Sequence, residues 1–192
     1  MNRSSAALPT PGFAGHKARM QQLLDDGTRR AVTRTPDRPP ELTFDEHWAL
    51  TWGVHGRPPG KPLPAILRSG RPLTPDEQRA VALFDNALAK LPTVEGPVAR
   101  HVHLTEEELA RYVPGRSITE PAWISTSTNP AGVDPSITRG SNVEFHMVSR
   151  TGRDYGHYGT PDEVLFLRDT SFFVHNVIRL PDGKTVVQMA EV

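Results

Sequence analysis

Residues 121–128 read P-A-W-I-S-T-S-T, and at this point the 192-residue chain changes its period. From here on the chain predicts strands over 122–128, 142–148, 163–167, 171–178 and 185–191, each short and rich in β-branched or aromatic residues. Turn chemistry separates them at Asn129-Pro130, Thr151-Gly152, Arg168-Asp169 and Pro181-Asp182-Gly183. Residues 97–103 predict one strand more. Upstream the spacing is helical. Thr43 with Glu46 forms a capping box ahead of Trp48, Leu50 and Trp52. Thr74-Pro75-Asp76-Glu77 is a second box, with proline at the first helical position, Val81, Phe84 and Leu88 on one face, and Pro92 as the stop. Thr105 with Glu108 is a third, and Leu104 and Leu109 stand where a hydrophobic staple would place them. Helices first and strands after argue an α+β domain without internal repeats.

Outward from this core the chain thins. Residues 1–16 are mostly Ser, Ala, Pro and Gly and predict a flexible tail. Residues 17–26 could form a short helix with Met20, Leu23 and Leu24 on one side. The proline-rich segment 32–40 cannot hold a helix. The expected division is therefore a tail over 1–40 and a compact domain over 41–192. The chain has no cysteine, which excludes disulfides and thiolate metal sites. Twenty-two basic residues balance 22 acidic ones, so no global field draws the chain to nucleic acid or anionic lipid. Arg68 and Arg71 alone do not make a nucleic-acid stripe of 66–71. No apolar run approaches the ~20 residues of a membrane span. Arg3 is not followed by an apolar stretch, so no signal peptide is expected.

The residues with chemical potential are Arg100, the run Ser125-Thr126-Ser127, Glu163 and the histidines. Each is ordinary alone: a surface arginine, a pleated Ser/Thr surface, a solvated strand end. His101 and His103 form one H-x-H, while His146 and His175 stand apart, so structural or surface roles and no metal are expected.

Together, and in order, the segments are less ordinary. V-A-R-H-V-H-L-T-E-E-E-L-A-R-Y-V-P-G (98–115), I-T-E-P-A-W-I-S-T-S-T-N-P (118–130) and D-E-V-L-F-L-R-D-T-S-F-F-V (162–174) resemble the Arg–Ser–Glu mono-ADP-ribosyltransferases, a group that includes bacterial exoenzyme toxins. A-I-L-R-S-G-R-P-L-T-P-D-E-Q-R-A-V-A-L-F-D-N-A-L (65–88) looks like that family's helical part. The resemblance implies a small helical lobe over 41–95, a two-sheet β core over 96–192, and an NAD cleft between them. It implies NAD as co-substrate, with Glu163 stabilising the oxocarbenium-like ribose and accepting from its 2′-hydroxyl. Ser125 would orient that carboxylate, and Thr126 and Ser127 would support the site. Arg100 would clamp a phosphate or ribose oxygen with its planar fork of donors. The backbone at His101 would take the nicotinamide amide. Trp123 is expected in the core.

One position departs from the pattern. Family members that modify arginine carry Glu two residues before the catalytic Glu, and several others carry Gln. Here it is Pro161, with neither a polar side chain nor an amide hydrogen. Asp162 would be a stand-in, but adjacent strand residues face opposite ways. Tyr155, His157 and Tyr158 precede Glu163 and could contact an acceptor or simply pack. Three readings follow: transfer of ADP-ribose to an unidentified protein or nucleic acid, NAD hydrolysis by water, or a degenerate binding module. The first implies a secreted effector acting in a target-cell cytosol, with an immunity protein as a partner.

Overall fold

The computed structural model describes residues 33–34, 41–52, 63–130 and 135–192. The helix over 17–26 and most of the tail lie outside them. The three capping boxes form as written. Thr43 N–H donates to Glu46 Oε2 at 2.8 Å and Glu46 N–H to Thr43 Oγ1 at 3.3 Å, opening α1 (Phe44–Trp52). After the short α2 (Leu63–Arg68), Thr74 and Glu77 cap α3 (Pro75–Ala89) reciprocally, and α3 buries Val81, Phe84, Ala87 and Leu88. Thr105 and Glu108 open only one turn, α4 (Glu106–Leu109). Gly115, at φ 81, turns the chain soon afterwards. α5 (Pro135–Gly140) was not expected from the spacing.

The strands are β1 (Thr33–Arg34), β2 (Val94–Val102), β3 (Ser117–Glu120), β4 (Ile124–Ser127), β5 (Val143–Ser149), β6 (Arg153–Asp154), β7 (Glu163–Phe166), β8 (Thr170–Arg179) and β9 (Thr185–Glu191). They pair in the order β3-β8-β9-β5-β2-β4-β7-β6, with β1 added on β2. All neighbours are antiparallel except β5 and β9. The expected two sheets are thus corrected to one continuous sheet. The reason is β2, which pairs along its length with β5 and, by the single register pair Ala99↔Ser127, with β4. At that narrow join the sheet turns over on itself. Ile124, Val164 and Phe166 from one half meet Phe145, Phe172, Val174 and Met189 from the other in one core.

A second core lies between the helices and the sheet. Leu50, Phe84 and Leu88 pack on Trp123, Tyr155 and Leu165, all nearly inaccessible. Burying side chains of this size contributes ~1.5–3 kcal/mol each. Trp123 stands here as expected, its ring 4.4 Å from that of Phe84 and its indole N–H donating to Asp85 Oδ1 at 2.7 Å.

Candidate active site

β4 and β7 set the centre of the site by register. Ser127 lies opposite Glu163 and Ser125 opposite Leu165. Side chains alternate along a strand, so Ser125 and Glu163 share a face as diagonal neighbours. Ser125 Oγ donates to Glu163 Oε1 at 2.5 Å. The second carboxylate oxygen, Oε2, accepts the backbone N–H of Thr160 at 3.1 Å. Glu163 is buried, 5% exposed as a residue, so both contacts act with little competition from water. Thr126 and Ser127 are buried. Thr126 Oγ1 donates to Val164 O at 2.9 Å, and Ser127 Oγ accepts from Asn129 N–H at 3.0 Å.

Arg100 comes from β2, paired with Phe145 of β5. Its Nη1 donates to the carbonyl of Ser125 at 2.7 Å. Arg68, at the end of α2, donates from Nη2 to the carbonyl of Trp123 at 3.3 Å. Two guanidinium groups therefore grip carbonyls two residues apart, one just before β4 and one within it. Burial, with Arg68 alongside, pushes the Arg100 guanidinium down to about 10, so it is still charged at neutral pH. Both line a cleft partly open to solvent, with Glu108, Arg111, Tyr112, Glu120 and Ile124. Tyr112 O–H donates to Glu120 Oε1 at 2.6 Å; burial and that carboxylate hold the phenol well above its ordinary range. Among the described residues neither Arg68 nor Arg100 forms a salt bridge. Three arginines thus face two glutamates, Glu108 and Glu120, across the cleft lining, and the Arg68 and Arg100 guanidinium groups keep donors for an anion.

No family model matches the chain. Two curated proteins are similar to it. Mav of Mycobacterium avium, assigned to the NAD(+)–arginine ADP-ribosyltransferases, is 37% identical over 173 residues, covering 88% of this chain and 20% of its own length. Tre1 of Pseudomonas putida, an NAD(+)–protein-arginine ADP-ribosyltransferase, is 31% identical over 173 residues, covering 86% of this chain and 32% of its own. The chain thus spans a third or less of either relative. Among solved structures, the Vis toxin of Vibrio splendidus, an ADP-ribosyltransferase, superposes with a TM-score of 0.65 at 20% identity, over 96% of this chain and 88% of Vis. The chain is similar to both ADP-ribosyltransferases over most of its own length and shares the ADP-ribosyltransferase fold.

The other residues singled out in the sequence take the following places. His101 points away from Arg100, as strand alternation requires. Its Nε2 lies 3.0 Å from Pro130 O and 4.0 Å from Glu144 Oε1, and His146 Nε2 lies 2.9 Å from the same carboxylate oxygen. His103 is exposed, and His175 packs edge-on to Phe173. Among the described residues no group of three His, Cys, Asp or Glu could hold a metal. Tyr155 is core rather than an acceptor contact: it is inaccessible, and its hydroxyl donates to the carbonyl of Leu50 in α1. Tyr158 OH pairs with His47 Nδ1 at 2.7 Å, and exposed His157 stands edge-on to Tyr158. Asp162 is exposed in a turn, not in β7, so strand alternation does not set its direction.

Two participants were not legible beforehand. The Thr160 N–H is a backbone donor that no side chain announces. Arg68 stood inside the quoted A-I-L-R-S-G segment, and its separation from Arg100 in sequence hid their convergence on the carbonyls of Trp123 and Ser125.

Proposed function

We propose that the domain cleaves the nicotinamide–ribose bond of NAD and transfers the ADP-ribose to a macromolecular acceptor. The observation that carries this reading is the Ser125–Glu163 pair beside two guanidinium groups that form no salt bridge among the described residues. Arg100 and Arg68 suit a diphosphate, which offers several acceptor oxygens and two negative charges. The helices of 41–95 and the strands of 96–192 would form the two walls of the NAD cleft. Glu163 is fixed on both oxygens and retains lone pairs for the ribose 2′-hydroxyl. As nicotinamide departs neutral, positive charge develops on the ribose, and a carboxylate already in place stabilises it without reorganising. The backbone at His101 is the proposed contact for the nicotinamide amide.

The names of both relatives make protein arginine the first acceptor to test. Exposed Pro161 favours a second reading, NAD hydrolysis, because it brings no carboxylate to an incoming guanidinium. A degenerate binding module is a third. Likeness to a toxin supports delivery into a target cell, with an immunity protein guarding the producer. The test is nicotinamide release from NAD with and without cell lysate, with Glu163→Ala as control. Release that rises with lysate, with ADP-ribose fixed on protein, supports the transferase. Full release without lysate and without fixed label makes the domain a glycohydrolase. NAD binding without release leaves a binding module.

A further inference from the structure

Gly159 lies four residues before Glu163, in the loop that joins β6 to β7. It is solvent-exposed, and its backbone is outside the left-handed region, so neither burial nor φ calls for glycine. What calls for glycine is its neighbour. A Cβ built on Gly159 would overlap Glu163 Oε2, and would stand 2.9 Å from Glu163 Cδ and 2.9 Å from Tyr155 Cδ1. Such approaches cannot persist, and something has to move.

The surroundings decide what moves. The Tyr155 ring is inaccessible, packed 6.4 Å from Phe84 and 5.8 Å from Tyr158 between ring centroids, with its hydroxyl bonded to Leu50 O. The loop backbone is closed by its own turns. Gly159 N–H donates to Tyr155 O at 2.9 Å, and Glu163 N–H to Thr160 O at 2.9 Å. Tyr158 OH pairs with His47 Nδ1 at 2.7 Å and ties the loop to α1 a second time. The free end of the Glu163 side chain is the one soft partner. Displacing it would break the 2.5 Å bond from Ser125 and the 3.1 Å bond from Thr160.

We propose that Gly159 is a positioning residue for the reaction: its missing side chain is the space in which the Glu163 carboxylate is seated. This rests on the transferase reading above. A methyl group there leaves the fold intact and unseats the carboxylate, so the deficit falls on turnover and not on NAD affinity or stability. Misplacing a reacting group by about 1 Å can cost ~10²-fold.

The test compares Gly159→Ala with wild type and with Gly140→Ala, whose added methyl meets nothing within 4 Å. Nicotinamide release, the Kd for NAD and the melting temperature are measured for each. Gly159→Ala is expected to lower kcat by ~10–100-fold with Kd and melting temperature near wild type. Gly140→Ala is expected to match wild type. A double variant adds a readout that a purely structural role would not move. Glu163→Asp draws the carboxylate back by one methylene, so it should lower kcat in the wild-type background but cost little more beside Gly159→Ala. Gly159→Ala with kcat within twofold of wild type, while Glu163→Ala is inactive, overturns the role of Gly159 and leaves the transferase reading standing. Loss of kcat together with NAD affinity and melting temperature overturns it in favour of loop stability. Wild type that releases no nicotinamide overturns both.

Discussion

At the scale of single residues, the proposed reaction divides its work between Glu163, which meets the developing charge, and Arg100, which anchors the diphosphate. Glu163 faces developing charge, so Glu163→Gln, which keeps the shape and removes the charge, is expected to lower kcat for nicotinamide release by ~10²–10⁴-fold while NAD still binds. Single-turnover kinetics with parallel calorimetry check this, and a Glu163→Gln variant at full rate would remove the residue from the chemistry. Arg100→Ala should act oppositely. A charge-assisted hydrogen bond is worth ~1.5–3 kcal/mol, so the Kd for NAD should rise ~10–100-fold. Calorimetry on that variant decides it, and an unchanged Kd would assign the diphosphate to other groups.

At the scale of elements, α3 carries a pH dependence that can be read from its cap. Glu77 accepts from Arg71 Nη1 at 2.9 Å and Nη2 at 2.5 Å, and from Thr74 N–H at 2.8 Å. Arg71 first, and then the Thr74 backbone, hold the Glu77 carboxyl down at about 2. Its folded value thus lies below the ordinary value of ~4.3, so the cap contributes in full above ~pH 4.3 and loses its contribution as pH falls towards ~2. Melting curves across that window should converge for wild type and Glu77→Gln at the acid end and separate above it. Parallel curves would show that the cap is unlinked to protons. This element was legible because a capping box is local: donors and acceptors three residues apart in sequence meet wherever a helix begins. The strands around Ser125 and Glu163 were legible for a similar reason, since β-branched runs between turn signals need no distant information. β3, β6, α2 and α5 are too short for periodicity to build up. The single sheet could not be read at all, because the pair Ala99↔Ser127 that joins its halves is a long-range contact no window contains. Among site residues, Arg100, Ser125 and Glu163 announced themselves through side-chain type and order. Gly159 and the Thr160 N–H act through backbone placement and left no such signal.

At the scale of the molecule, the helices and the site share one core. Phe84 touches Trp123, which precedes β4, and faces Tyr155, which begins the loop to Glu163. Phe84→Ala should cost ~3–5 kcal/mol, measured by urea unfolding. It should also lower kcat at temperatures where the variant is fully folded, because the wall behind Gly159 loses its support. A variant that loses stability but keeps kcat would mean that the loop stands without the helices.

The two tyrosine ties also set an order of events. Tyr155 reaches back 105 residues to Leu50, and Tyr158 reaches back 111 to His47. Closing so long a stretch of chain costs more entropy than zipping the neighbouring strands β8 and β9, so the ties belong among the last contacts to form as the chain folds. By the same logic the exposed Tyr158 tie, which rests on one hydroxyl, ranks among the first to open in a local fluctuation, while Tyr155 stays held by the core around it. If the domain acts on NAD as proposed, that competence arrives after the architecture is built, and a partly folded chain holds its full sheet while remaining inert.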